Sequence, residues 1–67
     1  MNNFIVVGSI NNEEVYIAYN AILESYEWVE NRNDSYIFRN AEDYDELLDT
    51  GLLMDKGLDE KPRIETV

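Results

Sequence analysis

The chain has 67 residues, with fifteen acidic side chains against five basic ones and a formal net charge of −10. It contains neither cysteine nor histidine, which excludes disulfides, thiolate metal sites, and the commonest general base and transition-metal ligand of enzymes. Because 45% of the residues are apolar and 12% aromatic, we expect a folded domain rather than a disordered acidic tail.

The negative charge is concentrated in the first part of the chain. Residues 1–54 hold eleven acids and only two bases, Arg32 and Arg39, whereas the segment from Asp55 is nearly balanced. Such a surface repels nucleic acid and anionic membranes and attracts basic protein surfaces. The longest apolar run, residues 4–7, is far below the roughly 20 residues that span a bilayer. We therefore expect a cytosolic protein that binds neither nucleic acid nor membrane directly.

The first two predicted elements form a β-hairpin. Residues 4–10 are rich in β-branched and aromatic side chains, and Asn11 and Asn12 follow as a pair that tolerates the left-handed conformation of tight turns. Residues 15–19 alternate in a strand pattern with apolar side chains on both faces. The stretch 20–24 is too short for a stable helix and is predicted as a connecting turn or a continuation of the strand.

A second hairpin is predicted from residues 25–29 and 35–39, joined by the turn-forming residues 31–34. Alternation along both strands places four large rings on one face, where cross-strand pairs stabilise a sheet. We expect this cluster to anchor the core; its members are Tyr26, Trp28, Tyr36 and Phe38.

A helix is predicted over residues 41–50. Asn40 suits the N-cap, Asp43 follows three residues later as in a weak capping box, and Gly51 suits the left-handed residue that ends a helix. Ala41, Tyr44, Leu47 and Leu48 form an apolar stripe at helical spacing. The predicted fold is therefore α+β, a small antiparallel sheet of two hairpins and three or four strands, with the acidic helix packed on one face through Tyr44, Leu47 and Leu48.

We expect the chain to consist of a domain, residues 1–54, and a C-terminal tail, residues 55–67. Gly57 and Pro62 interrupt the tail, which is predicted as a loop with a short final strand at residues 63–67 or as unstructured. An apolar surplus lies at the junction, and it either closes the core or forms a homodimer contact. It consists of Leu52, Leu53, Met54 and Leu58.

The sequence does not favour an enzyme or a metal protein. It has no nucleophile system, no glycine-rich phosphate loop and no helix with paired metal ligands. Carboxylate pairs such as Glu13-Glu14 need a concave, water-excluding site for acid–base work, and so short a chain has little interior for one. The acids near Asp43 and Asp55 do not match a calcium-binding loop. We predict no catalytic residues, no metal site and no cofactor.

The acids are better interpreted as a recognition element. On a helix, acids three and four positions apart lie about 5–6 Å from one another, a spacing comparable with that of successive phosphates. The alternative is an acidic face that only keeps the protein soluble. The candidate partner-binding residues are Glu42, Asp43, Asp45, Glu46 and Asp49 on the helix, extended by Glu24, Glu27, Glu30 and Asp34 from the second hairpin.

The aromatic residues offer a second recognition element. So many rings exceed what a small core can bury, and one or more tyrosines should therefore lie on the surface, where they are favoured binding anchors. The residues concerned are Tyr16, Tyr19, Tyr26, Trp28, Tyr36 and Tyr44.

The chain resembles the small acidic early proteins with which bacteriophages disable host enzymes. The resemblance covers residues 4 to about 50 and rests on Phe4-Ile-Val-Val, Val15-Tyr-Ile, Glu27-Trp-Val and Tyr36-Ile-Phe-Arg-Asn-Ala-Glu-Asp-Tyr, with the charge and the missing Cys and His. It is a resemblance of hairpin, hairpin and helix design, without a family motif. Proteins of this type include DNA mimics that inhibit uracil-DNA glycosylase, restriction enzymes, nucleoid proteins or CRISPR nucleases.

The resemblance implies a non-enzymatic inhibitor in the cytoplasm of a bacterial host. Its partner would be a basic nucleic-acid-binding host protein, whose groove it occupies in place of nucleic acid. The alternative is a small adaptor that binds a host transcription or replication protein through an aromatic and aliphatic patch, with the acids supplying only solubility and a faster association rate.

Overall fold

Four strands form one antiparallel sheet in the computed structural model, which describes residues 2–67. The strands β1 (Phe4–Ile10), β2 (Glu13–Asn20), β3 (Ser25–Val29) and β4 (Arg63–Thr66) lie in the order β3-β2-β1-β4. One α-helix, α1 (Ala41–Asp49), lies between β3 and β4 in the chain, flanked by 3-10 turns at Arg32–Asp34 and Leu52–Met54. The predicted α+β class is confirmed.

The first hairpin is confirmed as the sequence predicts it. β1 pairs with β2 from Val7↔Tyr16 to Ile10↔Glu13. Asn11 and Asn12 form the turn with φ angles of 53° and 68°, the left-handed region that asparagine tolerates better than most residues.

Asp59 ties the C-terminal segment to this turn. Its carboxylate accepts hydrogen bonds from the Ser9 hydroxyl (2.8 Å) and from the N–H groups of Asn11 (3.1 Å) and Asn12 (2.7 Å). Its own N–H donates to the Ser9 carbonyl at 2.8 Å. These bonds to the charged form hold the pKa of Asp59 below its usual value, the N–H of Asn12 contributing most.

We expect Asp59→Asn to lower the melting temperature at neutral pH, because an amide cannot accept all three hydrogen bonds of the carboxylate. The pKa of Asp59 is lower in the folded than in the unfolded state, so its stabilisation is present above the unfolded pKa and is lost as pH falls through the folded one. The gap between wild type and variant should therefore close towards low pH. Thermal unfolding of both proteins at several acidic pH values measures this difference in melting temperature. Glu60→Gln removes a neighbouring charge without these bonds, and an equal melting-temperature loss in that variant would contradict the assignment.

The second hairpin is formed by different strands from those predicted. β3 pairs with β2 from Tyr16↔Val29 to Asn20↔Ser25, so residues 21–24 are the connecting turn, one of the two alternatives for this stretch. The Asn20 side-chain oxygen accepts the N–H groups of Ile22 and Leu23 at 3.0 and 3.1 Å. Glu24 completes the turn at a φ of 51°.

The prediction of a return strand at residues 35–39 is wrong. Asn31 caps the 3-10 turn after β3 by accepting the N–H of Asn33, and the chain then leaves the edge of the sheet. The Tyr36 N–H donates to the Ile17 carbonyl at 2.8 Å, and Phe38 forms an isolated antiparallel bridge with Phe4. The segment thus lies where β1 and β2 separate beyond their paired residues. Burial of the Phe38 ring overrides the strand alternation of the sequence.

The main core lies on the side of the sheet that faces α1. Its buried members Val6, Ile17, Tyr26, Phe38 and Leu47 are at most 9% exposed. The predicted contact of Tyr26, Tyr36 and Phe38 is confirmed, with ring centroids 4.9–5.7 Å apart. Trp28 packs against the same core and donates from Nε1 to the Leu52 carbonyl at 3.2 Å. Phe4, Tyr19 and Tyr44 extend the array of rings beyond the predicted cluster.

The helix begins and ends close to the predicted residues. Asn40 Oδ1 accepts the Asp43 N–H at 2.9 Å as the N-cap, and Gly51 adopts a φ of 78° after the C-cap Thr50. Leu47 is fully buried and Tyr44 partly buried, as predicted. Leu48, predicted to pack on the sheet, is instead 47% exposed, because only a narrow stripe of this short helix meets the core.

The apolar surplus after the helix is divided between core and surface. Leu52 and Leu53 pack against the main core, which confirms the core interpretation for these two residues. Met54 is 87% exposed, and Leu58 is half-buried.

The tail ends in the predicted short strand. β4 pairs with β1 from Phe4↔Thr66 to Val7↔Arg63 and adds an edge to the sheet. On the face away from α1, Ile5, Val7 and Tyr16 form a second buried cluster with Val29. β4 thus joins the C-terminal segment to the sheet that carries the helix.

Candidate partner-binding surface

Four acids lie along the outer face of α1, and we call them the α1 strip. Glu42, Asp45, Glu46 and Asp49 are all exposed. Their positions follow the 3.6-residue period of the helix, so they share the side opposite the buried Leu47. The helix contains no base. The α1 strip therefore presents a row of carboxylates that is fixed by the packing of the other face.

Asp43 has a structural role that separates it from this row. Its Oδ2 accepts the Tyr36 hydroxyl at 2.7 Å, and its N–H is the donor to the N-cap Asn40. The hydrogen bond from Tyr36 to Asp43, together with burial, raises the pKa of Tyr36 above its usual value. Asp43 fixes the first turn of α1 against the sheet.

The acids predicted to extend the row from the second hairpin are exposed but dispersed. Glu27 is opposite Ala18 in the sheet, and strand alternation places it on the face away from Tyr26 and Trp28. Asn20 Nδ2 donates to its Oε1 at 3.1 Å. Glu27 therefore does not continue the α1 strip, because that strip belongs to the other side of the sheet. Glu24 lies in the β2–β3 turn, Glu30 follows β3, and Asp34 ends the 3-10 turn.

The arginines that form ion pairs lie on the face away from α1. Arg32 stacks over the Tyr16 ring at 5.7 Å and pairs with Glu65, while Arg63 pairs with Glu14 at 2.8 Å. The hydrogen bond from Arg63, aided by the Tyr16 hydroxyl, lowers the pKa of Glu14. Within residues 2–67, every ion pair belongs to this group and none reaches α1. We call this the charge-compensated face; on the other side of the sheet, the acids of α1 form no ion pair with a base of residues 2–67.

Two exposed aliphatic residues in the β2–β3 turn are not among the site residues predicted from the sequence. Ile22 and Leu23 are 93% and 70% exposed at the β2–β3 turn. Their signal was present, since two large apolar residues in a short connection have little chance of burial. Met54 borders a shallow groove of about 510 Å³ that Leu53, Asp55, Leu58, Glu60 and Lys61 also line. Tyr19, at 42% exposure, confirms that a tyrosine reaches the surface.

The described residues 2–67 contain neither a metal-binding cluster nor a membrane-spanning helix. No cluster of three or more acidic side chains in residues 2–67 is arranged to hold a metal ion. None of its helices has the length and apolarity required to cross a membrane. In comparisons with family models, curated proteins and solved structures, no match to this chain was found.

Proposed function

We propose that the protein is a non-enzymatic inhibitor that occupies the basic nucleic-acid-binding groove of a host protein. The observation that carries the proposal is the α1 strip, four exposed acids on a fixed helix face to which no base of residues 2–67 forms an ion pair. As in bacteriophage DNA mimics, the target would be a defence nuclease, DNA glycosylase or nucleoid protein in the bacterial cytoplasm.

The mechanism is competition for the Lys and Arg side chains that normally hold phosphates. A net charge of −10 speeds the encounter with a basic groove, and the strip supplies the short-range contacts. Arg32 and Arg63 do not weaken this field locally, because their partners Glu65 and Glu14 hold them on the opposite face. The complex should lose affinity steeply as salt rises and should be displaced by duplex DNA.

Charge reversal of the α1 strip is expected to abolish partner binding and leave the fold intact. The variant Glu42→Lys/Asp45→Lys/Glu46→Lys/Asp49→Lys replaces exposed side chains only. Reversal at Asp49 suits the helix dipole at the C-terminal end and offsets the unfavourable reversal at Glu42 in the first turn. The tagged wild type and variant are used to capture proteins from bacterial lysate, with elution by salt steps and by duplex DNA before mass spectrometry. Far-UV circular dichroism checks the fold.

The matched control reverses the four dispersed acids, Glu24, Glu27, Glu30 and Asp34. It changes the net charge by the same amount, so it separates the strip from overall acidity. Retained binding in the control, with loss in the strip variant, supports the strip as the site. Unchanged affinity in the folded strip variant, or equal loss in both variants, would reject it.

A second candidate function is favoured by the exposed turn residues Ile22 and Leu23. An adaptor would insert this apolar tip into a host transcription or replication protein, and Tyr19 stands at the base of the same turn. Such a complex should resist both salt and DNA, since apolar burial depends little on ionic strength. If a captured partner no longer binds the Ile22→Ser/Leu23→Ser variant but still binds the charge-reversal variant, the result supports the adaptor function and rejects the mimic.

A further inference from the structure

The outer edge of β4 carries backbone groups that have no partner within residues 2–67. The Val67 N–H donates to the Asn3 carbonyl at 3.0 Å, which extends the β1–β4 register by one pair. In an antiparallel ladder the hydrogen-bonded pairs alternate, so Arg63 and Glu65 also direct their backbone groups towards β1. The N–H and carbonyl groups of Ile64 and Thr66 therefore point away from the sheet.

The same register places side chains on defined faces of this edge. Ile64 lies opposite Val6, on the α1 side, and is 52% exposed. Arg63 and Glu65 lie opposite Val7 and Ile5, on the charge-compensated face. The unpaired backbone groups of an exposed edge are a template for another strand, and charged side chains on that edge restrict which strand it accepts.

We propose that the β4 edge pairs with the β4 edge of a second copy of the chain, antiparallel and centred on Ile64. Each Ile64 N–H then donates to the Ile64 carbonyl of the other copy, and each Thr66 N–H to the carbonyl of Pro62. Pro62 has no N–H to leave unpaired. Arg63 of one copy faces Glu65 of the other twice, in non-hydrogen-bonded positions with Cβ atoms about 4.5–5.5 Å apart.

Charge selects this register over its neighbour. Centring the pair on Glu65 instead makes equivalent hydrogen bonds between Ile64 and Thr66, but it sets Glu65 directly against Glu65 of the second copy. Like charges directly opposite one another destabilise a sheet. The Ile64-centred pair is two-fold symmetric, as an interface between two identical copies requires, and it also sets opposite charges against each other. It joins the two sheets across the edge and does not rest on the proposed inhibitor function.

Complementary charge variants test the proposal directly. Arg63→Glu makes residues 63 and 65 both acidic, and Glu65→Arg makes both basic, so each variant repels a copy of itself. Mixed together, they face each other with opposite charges at both pairs. Sedimentation velocity is measured from about 10 μM to about 1 mM, because so small an interface is expected to bind weakly. Salt is kept near 0.15 M to screen the net repulsion between copies.

We expect a concentration-dependent dimer of the wild type, at least about tenfold weaker association of each variant alone, and recovery in the equimolar mixture. Glu65→Arg also lowers the net negative charge, so net repulsion alone would predict stronger self-association, opposite to the proposal. Ile64→Pro removes an outward N–H that β1 does not use and should leave a folded monomer by circular dichroism. A wild type that stays monomeric at the highest concentration, or a mixture that associates no better than the variants alone, overturns the proposal.

Discussion

Replacing Phe38 by alanine should cost about 3–5 kcal/mol of unfolding free energy, the range for truncating a buried phenylalanine. The Phe38 ring is fully buried and lies within 4.9–6.0 Å of four other rings, measured between centroids. Phe38 also bridges to Phe4 where β1 and β2 separate. A chain of this length has roughly 3–10 kcal/mol of total stability, so we expect the variant to lose from about a third to all of it.

Urea unfolding, followed by the fluorescence of Trp28, measures this loss. Trp28 is half-buried against the same core, so its emission reports the packing that Phe38 anchors. Ile22→Ala is the matched control, because Ile22 is 93% exposed and its truncation should change stability by less than about 0.5 kcal/mol. A folded Phe38→Ala variant with a transition near that of Ile22→Ala would show that the aromatic array does not stabilise the fold.

Local signals in the sequence predicted the elements whose structure depends on nearby residues. Asn11 and Asn12 specified the first turn, and Asn40 and Gly51 specified the ends of α1. The wrong prediction of a strand at residues 35–39 has a different cause. Their alternation suits a strand, but the pairing partner of this segment depends on residues far away in the chain. Phe38 pairs with Phe4, more than thirty residues earlier in the chain, and this contact outweighs the local pattern.

Of the candidate surface, only the part that depends on local periodicity could be predicted from the sequence. The α1 strip follows from helical periodicity, and the exposure of its four acids agrees with that pattern. The spread of the other acids depends on sheet register, which placed Glu27 on the opposite face. The ion pairs of Arg32 with Glu65 and of Arg63 with Glu14 join residues far apart in the chain, and no spacing rule predicts them.

Raising the pH above about 10 should destabilise the protein through Tyr26. Burial, reinforced by the charge of Asp43, raises the pKa of Tyr26 from 10.0 to about 12. The unfolded state therefore releases this proton first, and stability present below the unfolded pKa is lost as pH rises through the folded one. One proton released by the unfolded state lowers the free energy of unfolding by at most about 1.4 kcal/mol per pH unit in this window. Tyr36, whose pKa Asp43 also raises, acts in the same direction.

Urea unfolding between about pH 8 and pH 11.5 measures this dependence against a reference pKa near 10 for free tyrosine. Tyr26→Phe should flatten the alkaline slope and leave only the smaller contribution of Tyr36, since the ring and its packing are retained. The hydroxyl of Tyr26 makes only a long contact, 3.4 Å, with the Asp43 carbonyl, so little stability should be lost at neutral pH. Tyr19→Phe, at an exposed ring, removes only the weakest of the interactions that raise the pKa of Tyr26 and should keep most of the wild-type slope. Equal slopes in wild type and Tyr26→Phe would show that the buried phenol does not limit alkaline stability.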